Sequence, residues 1–217
     1  MRRIWGGLLL LLLLVGCGGS GGGGGGSTAT PSVITDPFLF DHNASINGGV
    51  LTRWPSVPVT VDTGQIPDAE AKFNRWRDAT GGSVSFVFTG AGAGVRVRLG
   101  GAIPDTCAET VVFFTAGGSV TRAEVSLTPI WNTAVCVETV AHEAGHSIGF
   151  FGHTSDGGLM DPDGGNGQIT GQVANMMRTL YSNPPGTMVK SALLARGAQT
   201  PRDGIRSVRF VTPARYR

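Results

Sequence analysis

An α+β fold is the expectation for this 217-residue chain, and two patterns in it carry that expectation. Short alternating apolar runs recur between residues 57 and 127, the period of half-buried strands. Two segments with helical spacing follow them, one near residues 134–148 and one from Thr170 to the residues before Pro184-Pro185. At this length the chain holds one sizeable domain.

Residues 28–50 are rich in Thr, Ser, Pro, Asn and Gly and read as an irregular lead-in. Val57, Val59 and Val61 alternate as a strand does, after Arg53-Trp54-Pro55. Pro67 opens a stretch with Ala69, Phe73 and Trp76 on one helical face. Val84–Phe88 and Val95–Leu99 are the next strand patterns, and the helix between the first two strands predicts a β-α-β crossover. Thr110–Thr115 and Val120–Leu127 flank Gly117-Gly118, which predicts a hairpin and brings the strand count to five. The helix near Ala134–Ile148 follows, then a glycine-rich loop over Gly149–Gly167, then a helix with Thr170 as N-cap.

Met1-Arg2-Arg3 followed by the apolar run Leu8–Val15 has the layout of a signal peptide, and the run is too short for a membrane span of about 20 residues. Leu14-Val15-Gly16-Cys17 resembles a bacterial lipobox, which implies cleavage before Cys17 and a lipid on its sulfur. The glycine run that follows reads as a flexible tether. The expected location is therefore the cell envelope, exported and lipid-anchored. Gly18 in place of aspartate favours the outer over the inner membrane. Cys107 and Cys136 remain, the number needed for one disulfide in an oxidising compartment, with two buried thiols as the alternative.

Net charge is only +2, with seven Lys/Arg against Asp203 in residues 190–217 and an acidic body before them. A basic tail without a basic face gives no support to nucleic-acid binding, and a solvated end is the expectation for it.

Chemistry concentrates in His142-Glu143-Ala144-Gly145-His146. Val137, Ala141, Ala144 and Ile148 form a core-facing stripe, and the two histidines, one turn apart, project toward nearly the opposite side. Imidazoles at i and i+4 reach one zinc ion with bonds of about 2.0–2.1 Å, and Glu143 can hold the attacking water without binding the metal. A third ligand is required from elsewhere. No glutamate follows Glu143, and His153 is the sole later histidine, reached through a bend that Gly149 and Gly152 allow. Three of the four histidines thus fall between residues 142 and 153.

His142-Glu143-Ala144-Gly145-His146-Ser147-Ile148-Gly149-Phe150-Phe151-Gly152-His153 resembles the metzincin signature HExxHxxGxxH, and Leu159-Met160-Asp161-Pro162 resembles the Met-turn of that clan. Among metzincins the chain is most similar to the matrixin-like peptidases, over residues 50–187. His153 lies one position later than the third histidine of the pattern, with Gly152 at that position, while the spacing from His146 to Met160 is retained. Asp156 is the alternative third ligand. The resemblance implies a twisted mixed sheet of five strands, an active-site helix and a C-terminal helix. It also implies Met160 as an apolar floor under the metal and a substrate lying along Thr110–Thr115 as an edge strand.

The division that follows is 1–16 signal peptide, 17–49 lipid-anchored linker and lead-in, 50–187 zinc metallopeptidase domain, and 188–217 basic tail. The expected function is zinc-dependent endopeptidase, with Glu143 as general base, acting as a monomer on protein or peptide and tied to the membrane by lipid. A non-catalytic zinc-binding scaffold lipoprotein and a zinc hydrolase of cell-wall peptides or another amide are the alternatives. Asp156, Asp161 and Asp163 amid glycines could bind calcium or be exposed loop acids. Phe86, Phe88, Phe113 and Phe114 read as core, and Phe150 and Phe151 as core or cleft border. No cysteine other than Cys17 precedes the domain, so a cysteine-switch propeptide is not expected.

Overall fold

Residues 33–101, 103–190 and 204–214 are described by the computed structural model. The signal segment, Cys17 and the glycine-rich tether lie outside the described residues. In chain order the elements are α1 (Pro37–His42), a 3-10 turn (Ala44–Asn47), β1 (Val59–Asp62), α2 (Ala69–Ala79), β2 (Phe86–Phe88) and β3 (Val95–Leu99). They continue with β4 (Thr106–Thr115), β5 (Val120–Leu127), α3 (Thr139–Ser147), α4 (Gly171–Ser182) and β6 (Ile205–Pro213). The protein is α+β, built on a six-stranded mixed sheet.

Strand order is β2-β1-β3-β5-β4-β6. β1 runs parallel to β2 and β3, and β3 runs parallel to β5. β4 is antiparallel to both of its neighbours, β5 and β6. The crossover from β1 through α2 to β2 and the β4–β5 hairpin follow the sequence patterns. Alternation sends Val59, Val61, Val95, Val97, Ala108, Val112, Ala123 and Val125 into the core. Phe73 and Trp76 of α2 and Ala141 and Ala144 of α3 are fully buried in the same core. Trp76 Nε1 donates to Ala141 O at 2.8 Å and Trp54 Nε1 to Ser147 O at 2.9 Å, so two buried indoles fix the height of α3.

Three expectations need correction. The sheet has six strands, because residues 205–213 of the expected solvated tail pair along the whole of β4. Ile205-Arg206-Ser207-Val208-Arg209-Phe210-Val211 is an alternating strand pattern that the arginines conceal, and β4 without it would present a bare ladder. Thr110–Thr115 is accordingly not an edge.

The lead-in is not wholly irregular. The Asp36 carboxylate caps α1 by accepting from Leu39 N–H at 3.0 Å, Pro37 occupies its first turn, and Leu39 and Phe40 are buried. The fold thus starts before residue 50.

α3 begins at Thr139 rather than near Ala134. Cys136 is bonded to Cys107 of β4, and Glu138 sits at φ 53° with its carboxylate 2.7 Å from Lys72 Nζ and 2.6 Å from Arg75 Nη1 of α2. These ties hold residues 134–138 out of the helix. All nine residues of α3 are buried. Its polar side looks into the site.

Two measurements check these anchors. Replacing Cys107 and Cys136 together by serine removes a cross-link of sequence separation 29 and should lower stability by about 3–4 kcal/mol, read as a drop in melting temperature. Burial raises the Glu138 pKa, but Lys72 and Arg75 outweigh it and hold the carboxyl below its ordinary value. That stabilisation is present above the unfolded carboxylate pKa and lost as pH falls through the folded one. Glu138→Gln should therefore cost about 1 kcal/mol at pH 7, with the difference closing below about pH 4 in parallel melting curves.

Candidate metal centre

Helix periodicity sets His142 and His146 on successive turns of α3, and the end of that helix decides where His153 falls. Gly149 takes φ 109°, open to glycine and strained for other residues, and a Cβ there would stand 3.0 Å from Leu180 Cδ2 and 3.2 Å from Thr52 O. Asn43 Nδ2 donates to Gly149 O and to Thr52 O, both at 2.7 Å, and so fastens the bend to the start of the fold. Phe150 and Phe151 are buried below it, and Phe151 N–H donates to His42 O at 2.6 Å.

His142, His146 and His153 converge, each offering one ring nitrogen, with those atoms all within 4.8 Å of one another. The group could hold a metal ion. Its chemistry fits one closely. His142 Nδ1 lies 2.7 Å from Leu159 O and His146 Nδ1 lies 2.7 Å from Phe150 O. Carbonyls only accept, so each Nδ1 carries the hydrogen and each Nε2 presents a bare lone pair.

Burial pushes His142 down to about 4 and His146 well below its ordinary value, which keeps both rings neutral. The two Nε2 atoms nevertheless stand 3.0 Å apart. Two lone pairs at that distance repel unless a cation lies between them, and tetrahedral zinc sets such nitrogens roughly 3.3 Å apart. His153 Nε2 is buried with no hydrogen-bond partner, the orphaned acceptor that a third metal ligand would be.

Glu143 is fully buried on the same helix. Burial raises its carboxyl to about 7, against the opposing effect of hydroxyls from Thr110 and Thr212. Thr110 of β4 donates to Oε2 and Thr212 of β6 to Oε1, so both carboxylate oxygens are engaged. The Phe210 ring of β6 lies flat on His146, centroids 4.3 Å apart and planes 9° apart, and extends that stack to Phe151. A cavity of about 210 Å³, bordered by Phe38, His42 and Asp156, reaches His153.

Met160 is buried, and its sulfur lies 2.7 Å from the point where a Cβ on Gly145 would stand. Trp76 Cζ2 would lie 2.4 Å from that same point. Gly145 therefore lets α3 settle onto Trp76 and Met160 together, and the loop carrying Met160 supplies Leu159 O to His142.

Asp156, the alternative ligand, is not part of the metal-capable group. Its oxygens accept from Thr154 Oγ1, Gly158 N–H and Thr170 Oγ1. Asp161 accepts from Thr154, Asp156 N–H and Gly157 N–H, and Asp163 from Gly165 N–H. These carboxylates organise the loop.

No protein-family model matches the chain, and no curated protein matches it either.

Sequence reading missed Thr110, Thr212, Phe210, Asn43 and Gly145. Only Gly145 gave a local signal, a glycine inside a helix where close approach is its usual reason. Phe86, Phe88 and Phe113 are only half-buried, whereas Phe114, Phe150 and Phe151 are in the core.

Gly145→Ala should force α3 off Trp76 or Met160 and lower stability by about 1–3 kcal/mol, measured as a fall in the urea midpoint at unchanged slope.

Proposed function

We propose that the chain is a zinc-dependent endopeptidase whose metal is held by His142, His146 and His153 and whose general base is Glu143. The observation that carries this reading is the buried convergence of three imidazole donors beside a carboxylate on the same helix. Neutral nitrogen donors suit zinc, and three protein ligands leave its fourth position open, as hydrolytic sites require. Zinc bound there supplies Lewis-acid polarisation of a peptide carbonyl and acidifies a water.

Glu143 would take a proton from the attacking water and return it to the departing amine. Leu159 O and Phe150 O hold the two helix imidazoles in the tautomer that keeps Nε2 toward the metal. The metzincin resemblance, matrixin-like in its spacing, supports the same reading through Met160, which underlies α3 without being a ligand.

We further propose an exported lipoprotein anchored through Cys17 in the cell envelope, acting as a monomer on protein or peptide. The Cys107–Cys136 disulfide agrees with an oxidising compartment. A second reading, a zinc-binding scaffold without turnover, draws on one observation: Thr212 and Phe210 of β6 cover Glu143 and His146.

Metal analysis and a peptide-library digest separate the two. The purified chain should hold one zinc per molecule and lose it slowly to chelator, with His153→Ala weakening retention at least tenfold. Glu143→Ala should keep the zinc and lose cleavage by about 10²–10⁴-fold. Zinc retained with no library peptide cut, whether or not residues 205–213 are loosened, would favour the scaffold. Failure to bind zinc would end both.

A further inference from the structure

β6 is an unusual cover for a buried site. It pairs antiparallel with β4 over a register running from Thr106 opposite Pro213 to Thr115 opposite Ile205. Its side chains divide cleanly. Arg206, Val208, Phe210 and Thr212 turn inward, while Ile205, Ser207 and Arg209 face solvent. Burial is slight for a strand on a core, because Phe210 and Thr212 are its only buried residues.

Those two are the residues that reach the centre. Phe210 lies opposite Thr110, the β4 residue that bonds Glu143, and stacks on the His146 ring. Thr212 donates to the other oxygen of Glu143. An extended chain at this edge, whatever its sequence, would place alternate side chains over the metal ligand and the base while its backbone was held by β4.

Resting on the endopeptidase reading above and on the substrate path along β4 that the metzincin resemblance implies, we propose that β6 occupies that path as an internal, exchangeable peptide. The site is then latent in this structure. Both oxygens of Glu143 accept from threonine hydroxyls, one of them from β6, and Phe210 of β6 shields the His146 face. Displacement of residues 205–213 frees Glu143 Oε1 and bares the β4 ladder for an incoming strand. The β6 sequence names the ligand class: an extended segment with an aromatic or large apolar residue opposite Thr110 and a small residue two positions on. On its outer side Arg209 Nη1 lies 3.3 Å from Oε2 of the buried Glu109, a contact that strengthens docking.

The test uses the full, zinc-loaded chain and two variants, Phe210→Ala/Thr212→Val and Arg209→Glu. The second sets an exposed carboxylate against the buried Glu109 and leaves the Phe210 and Thr212 contacts in place. A fluorescein-labelled peptide with the sequence of residues 204–214 is titrated by anisotropy, and library cleavage is measured alongside. The double variant should bind the labelled peptide and cut the library at least tenfold better than the parent chain, and Arg209→Glu should move both in the same direction by less. Unlabelled peptide should inhibit cleavage.

If both variants melt cooperatively yet bind no more peptide than the parent, β6 is a fixed strand and the proposal is overturned. Parent cleavage as fast as that of the variants overturns it too, while leaving the endopeptidase reading intact. Peptide binding gained without any cleavage supports the exchange and removes the endopeptidase reading instead. Should the double variant not fold, Arg209→Glu alone decides by the same outcomes.

Discussion

Two neutral imidazole nitrogens held 3.0 Å apart inside a buried helix set the conditions that the surrounding structure must meet. Left to themselves the lone pairs would separate, since each ring loses solvent and gains no donor. Carbonyls on both sides prevent this by fixing the Nδ1 hydrogens, Leu159 O for His142 and Phe150 O for His146. The first carbonyl belongs to the Met160 loop and the second to the bend after α3, so both segments are bound to the site by its own ligands. Rigidity is passed outward by Trp76 on Gly145 and by Asn43 on Gly149.

The same burial that arranges the ligands raises the free energy of an ionised Glu143, and the fold answers with hydroxyl donors from two strands. Thr110 belongs to β4, paired on both sides within the sheet. Thr212 belongs to a strand attached along one edge and barely buried. The carboxylate is therefore satisfied in part by an inner strand and in part by an edge strand, and this couples the exposure of the base to the position of β6. The sheet benefits as well, since β6 presents Arg206 and Arg209 at its margin, charges that discourage pairing with another molecule.

Much of the site was legible because its signals are local. The i, i+4 histidines with Glu143 between them follow from helix periodicity, and the scarcity of other ligands downstream pointed to His153. The strands from Val59 to Leu127 appeared through alternation, and the α1 start could have been read from Asp36-Pro37. The start of α3 was misjudged because a disulfide and two salt bridges from other elements hold Cys136 and Glu138. No periodic pattern carries such information.

By itself the sequence determined the helix that carries His142, Glu143 and His146, the α+β class and the pair of cysteines free to join, since each depends on neighbours in the chain or on simple arithmetic. Tertiary structure alone decided that His153 rather than Asp156 completes the group, that Gly145 is the seat of Trp76 and Met160, and that β4 has a partner on each side. The physical reason lies in separation: Thr212 meets Glu143 across 69 residues, and such a contact is chosen by which strand edge and which buried carboxylate remain unsatisfied once the rest has folded.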